Sequence, residues 1–553
     1  MSTRAEALGT TWKRWTMVAV ILGSGVVFLD TSVVNLALPR IGRELKSSLF
    51  GTFEAQSYVS NGYFLTLSAL LILAGALTDY HGRKRLFSIG LVGFGVTSFL
   101  CGIAWNMESL ILFRILQGAT GAIVVPGSLA IITASFKGEE QGRAFGIWAA
   151  ASAATTILGP FVGGVLVDSI SWRAVFFLNV PFLLVAYLAT VRYVPESRDE
   201  DATGTFDWLG SLVVVLAVGG LAFGTIRGQQ RGWGEPAAYL SLAIGGIAAV
   251  AFPIMMKVRR NPLVPLKLFG SRNFTVTNIS TFVIYGALYV TFYISSVFLI
   301  GTLGYSEPAA GIALLPDAIL LTLFSTKIGQ LAARYGPRLF MAVGPAVMGL
   351  GILLLLRVPA ESAPWVLGTE SGERILPPTD YFVDILPALL LFGAGLAVMV
   401  APLTTALMTS VPERNSGVAS AVNNAISRVG APLVLAGIFV AVVSSFYGTI
   451  AERVPGTNVD ASEFRQQVAP LNPPAEGVSS QVAGAAREAS TDAFHLAMLV
   501  AAGLMFTGAA VNGIGIRNPK REPSAAERKA MLEKSKSTAR KTTLAKTTRR
   551  RRS

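Results

Sequence analysis

The sequence predicts an all-α polytopic membrane protein: fourteen transmembrane helices forming two pseudo-symmetric six-helix bundles, with two further spans inserted between them. Three observations predict it. Only 14% of the 553 residues are charged and the mean hydropathy is +0.56, so long stretches lack the polar surface that water would require. Fourteen apolar runs reach about 18 residues or more, and about 20 residues at helical rise cross the hydrocarbon core with every backbone group satisfied internally. Finally, a stretch that follows the second run recurs in degraded form after the tenth.

Span one, Met17–Leu38, follows Lys13 and Arg14. It is too long, and lacks the small-residue cleavage site, for a removed secretory signal, so residues 1–15 are expected to be a cytoplasmic amino terminus. Within it, Phe28–Pro39 reads FLDTSVVNLALP. Asp30 lies about 14 residues in, or about 20 Å deep. A carboxyl there is costly unless it is protonated, paired or facing a wet cavity, which makes Asp30 a candidate proton carrier. The competing reading is a structural acid that pairs with a neighbour or caps a broken helix.

Span two, Ser57–Leu77, leads through GALTDYHGRKRL into span three, Leu86–Trp105. Gly75 and Gly82 permit close helix approach and a tight turn. Asp79 can cap or pair at a neighbouring helix end, while Arg83, Lys84 and Arg85 hold the loop in the cytoplasm. Span four, Ser109–Thr133, carries LILFRILQGATGAIVVP with Arg114, Gln117 and Gly118. Arg114 lies at a depth similar to that of Asp30 and needs an acceptor in the bundle, unless it snorkels to the outer surface. Span five, Ala144–Val167, ends in ILGPFVGG. Pro160 kinks it, and Gly159, Gly163 and Gly164 allow close packing.

Span six, Ala174–Val194, completes a first bundle over 16–194. Spans seven and eight, Trp208–Ile226 and Ala238–Met256, make an insertion over 195–256. The second bundle, 257–516, holds Val276–Gly301, Ala309–Leu331, Phe340–Leu356, Ile385–Met408, Ala421–Phe446 and Phe494–Ile516. Asp317, about eight residues into span ten, falls near the bilayer middle. It either lines a central cavity, as a second proton site or a counter-ion for a cationic substrate, or pairs with polar groups such as Lys327 or hydroxyls. Two long loops, Arg357–Asp384 and Tyr447–Asp492, interrupt the spans; the Pro, Gly, Ala and Ser content of the second predicts poor order over most of 447–492.

The repeat aligns Gly75 with Gly329, Leu77 with Leu331 and Gly82 with Gly336. Each copy joins the second helix of a bundle to the third, as expected of two parallel halves related by an axis along the membrane normal. Lys and Arg crowd one side of the membrane, which orients both termini toward the cytoplasm of an inner membrane. Much of the +14 net charge comes from the tail, 517–553, ending in Arg549–Arg552. Such a tail suits anionic headgroups, and no nucleic-acid partner is expected. Cys101 is the only cysteine and the two histidines fit no ligand spacing, so neither an intrachain disulfide nor a metal site is predicted. No nucleotide-binding loop and no grouping of nucleophile, base and orienter appears, which argues against an enzyme.

GALTDYHGRKRL is similar to motif A of the major facilitator superfamily, with Tyr80 where the family pattern has Arg. FLDTSVVNLALP, which includes Asp30 and Asn35, resembles the signature of its fourteen-span drug:proton antiporter branch. LILFRILQGATGAIVVP resembles motif B, and ILGPFVGG the core of motif C, although Ala151 and Thr155 stand where the longer pattern has glycines. WRAVFFLNVP (Trp172–Pro181), FDWLG (Phe206–Gly210), NPLVPLKLF (Asn261–Phe269) and SGVASAVNNAISRVG (Ser416–Gly430) resemble the same branch, so the resemblance covers nearly all of Thr16–Ile516. It implies a monomeric exporter without cofactors, driven by the proton gradient. The motif A loop would latch the halves in the outward-open state, Arg114 would tune proton binding, and motif C would mark antiport. The substrate implied is an amphipathic organic molecule, cations included. Export of one endogenous lipid or secondary metabolite, or a transport-dead receptor or scaffold, are the rival readings.

Overall fold

The structure, a computed structural model, describes residues 2–45, 52–198, 206–230, 234–367, 376–475 and 477–518. Its helices are α1 (Ser2–Glu44), α2 (Thr52–His81), α3 (Arg83–Gly102), α4 (Met107–Ser135), α5 (Gly138–Ser169), α6 (Trp172–Tyr193), α7 (Trp208–Gln230) and α8 (Pro236–Val258). They continue with α9 (Arg272–Gly301), α10 (Glu307–Ala313), α11 (Leu315–Tyr335), α12 (Pro337–Leu354), α13 (Leu386–Thr409), α14 (Ser416–Arg453), α15 (Ser462–Gln467) and α16 (Ser480–Gly515). Among the described residues, 13 helical stretches are long and apolar enough to cross a membrane. The 32-residue α5 occupies the place of the fifth predicted span. Side chains such as Leu184, Leu188, Ile247 and Val250, each more than half exposed, give the bundle the apolar exterior that lipid requires.

Local chemistry starts and stops these helices. Asn106 accepts from the Ser109 amide at 2.8 Å and Ser109 Oγ accepts back from the Asn106 amide at 3.3 Å, a capping box that opens α4. Ser171, Ser271 and Ser479 cap α6, α9 and α16 more simply, each hydroxyl accepting from one first-turn amide, those of Arg173, Phe274 and Val482. Gly82 and Gly336 precede α3 and α12 with φ of 107° and 88°, a region that favours glycine, so the sequence repeat is also a repeat of backbone geometry.

In the first half, α1 packs on α4, α5 and α6, while α3 packs on α4 and α6. In the second, α9 packs on α14 and α16, and α12 on α13 and α16. The halves meet along two seams, α2 with α14 and α5 with α11. The end where α1 starts is here called the near end, and the opposite one the far end. At the far end Glu44 accepts from Arg40, Trp172 and Arg173, and the first two of these hold its carboxyl below the ordinary range.

The inserted helices α7 and α8 form a tight pair. A Cβ on Gly220 would come within 2.9 Å of the Gly245 Cα, so glycine is what lets the two backbones touch. α7 lies against α2 and α14, and Arg227 fastens it by donating to Tyr58 Oη (2.7 Å) while pairing with Glu235 (2.7 Å).

α1 begins at Ser2, so residues 2–15 run into the first span as one helix. Two features depart from the sequence-based expectation. Span ten is two helices, α10 and α11, joined at Leu314 ahead of Pro316. The expected poor order over 447–492 is replaced by packed structure: α14 runs on to Arg453, α15 spans Ser462–Gln467, and Leu471 is buried with its amide on Ser490 Oγ at 3.1 Å. Leu471 has a φ of 61°, a strained conformation for a side-chain-bearing residue. Its carbonyl abuts Gly301, where a Cβ would lie 2.1 Å away. The basic tail after Asn518 lies outside the described residues.

Candidate functional site: a buried carboxylate network and a latch between the halves

Asp30 on α1 and Arg114 on α4 are each 1% exposed, and they form an ion pair: Arg114 Nη1 donates to Asp30 Oδ2 at 2.5 Å. The other carboxylate oxygen accepts from Gln117 Nε2 (3.1 Å) and from Asn179 Nδ2 on α6 (3.0 Å). Arg114 also donates to Gln117 Oε1 (2.7 Å) and the Val59 carbonyl (3.3 Å), and its guanidinium lies 4.1 Å from the centre of the Tyr63 ring. Asn179 donates as well to Ser98 Oγ (2.9 Å), which donates to the Phe176 carbonyl. The network draws on α1, α2, α3, α4 and α6, all of the first half.

Such a pair persists because both carboxylate oxygens accept hydrogen bonds and Arg114 has three acceptors and an aromatic face around it. A buried ion costs several kcal/mol unless geometry and extra hydrogen bonds offset the lost water. Close packing keeps water out: Gly118 sits so near α2 that a Cβ would lie 2.3 Å from the Tyr63 carbonyl oxygen. Chemically, both Asp30 oxygens now face donors. Through these bonds Asp30 ties α1 to α4 and α6.

The motif A residues form a second site, at the near end of the α2–α14 seam. Asp79 accepts from the Gly417 amide (3.0 Å) and the Val418 amide (2.8 Å) in the first turn of α14. Arg83, itself 1% exposed, donates to Asp79 Oδ1 (3.1 Å) and to the Glu413 carbonyl, and Glu413 also pairs with Lys137. Gly75 makes the approach possible, since a Cβ would stand 2.4 Å from Ala421 Cβ and 2.5 Å from the Gly417 carbonyl oxygen. Gly82 opens the turn, and Glu196 accepts from the amides of Lys84 (3.0 Å) and Arg85 (3.1 Å) at the exposed start of α3. The Lys84 ammonium reaches the Val191 carbonyl (2.7 Å).

The degraded copy occupies the other seam. A Cβ on Gly329 would lie 2.5 Å from the Gly142 carbonyl oxygen, and one on Gly142 would lie 2.7 Å from that of Gly329. Ala333 stands where the first copy has Asp79. Both seams therefore keep the close glycine contact, and the α2–α14 seam adds the acid.

Gly159 and Gly163 of motif C are buried in α5, and a Cβ on Gly163 would meet Val33 Cγ1 of α1 at 2.7 Å. For Asn35, Pro160 and Gly164 only the helical backbone is described. Asp317 does not join the Asp30 network. It sits in the first turn of α11, 1% exposed and beside Gly393 of α13, and neither of its oxygens has a hydrogen-bond partner among the described residues. The pairing with Lys327 or hydroxyls considered from sequence is not present there.

Sequence reasoning missed four contributors. Asn179 was within reach, as the strongest hydrogen-bonding side chain of WRAVFFLNVP in an otherwise apolar span. Ser98, Tyr63 and Glu196 carried no comparable signal. It also passed over Arg428 in α14, a half-buried cation.

The chain resembles known proteins in sequence and in fold. The family model for the Major Facilitator Superfamily matches residues 20–435. The multidrug resistance protein Stp of Mycobacterium tuberculosis is 31% identical over 419 residues, 76% of this chain and 74% of that protein. The tetracenomycin C resistance and export protein of Streptomyces glaucescens is 31% identical over 433 residues, 77% of this chain and 76% of that protein. Among solved structures, the human organic anion transporter MFSD10 superposes with a TM-score of 0.57 at 13% identity, covering 90% of this chain and 99% of its own. That likeness is one of fold.

Proposed function

The chain belongs to the Major Facilitator Superfamily, a transporter and not an enzyme, and from that premise we propose that it exports amphipathic organic molecules, drugs and cations among them, in exchange for protons. The observation that carries the reading is the Asp30–Arg114 pair. An acid held at mid-depth by three donors is a group whose protonation must break packing contacts, which is what a coupling site needs. When a proton arrives, Arg114 retains Gln117 Oε1, the Val59 carbonyl and the Tyr63 ring, so it has somewhere to stay while Asp30 lets go. The tie between α1 and α4 then loosens.

The near end is assigned to the cytoplasm and the latched arrangement to the outward-facing state. The seams at Gly75–Gly417 and Gly142–Gly329 would then open in the inward-facing state, by rocking of the halves about a midplane cavity. No cofactor enters the cycle, and a single chain supplies both halves. Relatives named for antibiotic resistance and export support drugs over an endogenous lipid or metabolite as cargo.

The test is uptake of a fluorescent cationic dye into inverted membrane vesicles under a pH gradient, with Asp30→Asn beside the natural chain. The exchanger predicts uptake that collapses with the gradient and is absent in Asp30→Asn. Full-speed uptake by that variant, or uptake indifferent to the gradient, overturns it. A chemical panel in the same vesicles separates many cargoes from one.

A further inference from the structure

The inserted pair α7–α8 does not close fully against the second half. Between them lies a cavity of about 420 Å³, within the about 300–1,000 Å³ typical of ligand sites. Its walls are Ile72 of α2 and Val218 of α7 on one side, Phe252 of α8 at the edge, and Ala425 and Gly430 of α14 with Phe282 of α9 on the other. Every lining side chain is apolar. Two of the lining residues, Phe269 and Phe282, are each 39% exposed, and no residue of the Asp30 network lines the cavity.

An amphipathic cargo would find no polar group inside to anchor it, whereas a hydrocarbon chain needs none. Charge at the near-end rim points the same way. Lys267 is exposed in the 3-10 turn between the lining residues Leu266 and Phe269, and Lys257 is exposed one helical turn beyond the lining residue Pro253. Arg260 is exposed two residues past the end of α8, while Arg259 is engaged by Asp207 at 3.8 Å. All of these lie at or just past the end of the apolar helix Pro236–Val258, where a bilayer's headgroups would begin.

We propose that this cavity is a site for one anionic phospholipid, with an acyl chain between α7–α8 and the α9–α14 wall and the headgroup phosphate on Lys257, Arg260 and Lys267. Because the walls belong to both halves, the chain acts as a compliant filler that keeps the inserted pair sealed against α14 as the halves move.

The experiment is native mass spectrometry of protein released from mixed micelles holding equal amounts of phosphatidylglycerol and phosphatidylcholine with identical chains. The natural protein should retain phosphatidylglycerol by roughly 100-fold over phosphatidylcholine, since three basic side chains at about 1 kcal/mol each toward an anionic lipid sum to about 3 kcal/mol. K257Q/R260Q/K267Q should bring the two lipids to near parity. Ala425→Phe should lower the total retained, and Val218→Phe, which fills the cavity from the opposite wall, gives the same reading should the first fold poorly. Equal retention of both lipids by the natural protein overturns the proposal, as does an unchanged lipid count in both filled variants. A dye that displaces phosphatidylglycerol and is itself lost in those variants would make the cavity a cargo site, and that too overturns it.

Discussion

Asp79 accepts the amide of Gly417 at 3.0 Å, so the last turn of α2 in one half holds the first turn of α14 in the other. The helix N-terminus offers unpaired amides and a partial positive charge, and a carboxylate meets both at once. Asp79→Asn keeps the shape and removes the charge. It should cost the latched state about 1–2 kcal/mol, a roughly 5- to 30-fold shift toward a near-end-open form. Spin labels placed across the near end report this directly. A distance distribution identical to that of the natural chain would mean that the bond seen here does not hold the halves.

The seams depend on glycine as much as on charge. Leucine at Gly75 would drive a Cβ to 2.4 Å from Ala421, and leucine at Gly329 would meet the Gly142 backbone at 2.5 Å. Neither contact can relax by moving a side-chain tip. Both variants are expected to fold and to lose near-end closure and transport together, while leucine at Gly246, which has nothing within 4 Å, changes neither. Closure preserved in Gly75→Leu would show that the seam has slack the structure does not display.

How much of this was legible in the sequence follows from which interactions leave a trace in it. Long apolar runs write themselves plainly, so the 13 stretches long and apolar enough to cross a membrane among the described residues were all readable. The break at Leu314 was not, because Pro316 fits a helix start as well as a helix interior. The order around Leu471 was hidden too, since a Pro- and Gly-rich stretch reads as loose chain, and its anchors, Ser490 and Gly301, are distant in sequence. Asp30 and Arg114 announced themselves as charges in grease. Their pairing was suggested by matching depth alone, and Asn179, uncharged, gave only a faint sign. Asp79 was readable as a helix-end acid, but its partners are backbone amides, which no residue type betrays.

Within the first half, the coupling between Asp30 and Arg114 can be separated from their individual worth. Removing one partner of a buried pair strands the other, at a cost of about 3–5 kcal/mol, while removing both strands neither. Asp30→Asn and Arg114→Gln should each lower the unfolding midpoint, and the double variant should be no less stable than either single one. Unfolding of the purified protein in detergent measures all three. Strictly additive losses would mean that the 2.5 Å contact contributes nothing specific.

Asp317 presents the opposite case, a buried carboxyl whose two oxygens have no partner among the described residues. An unsatisfied polar group in an apolar setting costs about 1–3 kcal/mol, and a chain that carries one at mid-membrane keeps it at the expense of stability. Asp317→Leu should therefore raise the unfolding midpoint. If the group serves as a proton site or a counter-ion, the same variant, and the shape-preserving Asp317→Asn, should lose transport of cationic dyes while neutral cargo is still carried. The two measurements together decide the role. A gain in stability with cationic transport intact leaves Asp317 without a part in the cycle, whereas a loss of stability would reveal a bond that forms to it in the folded protein, and would place it among the structural acids of the second half.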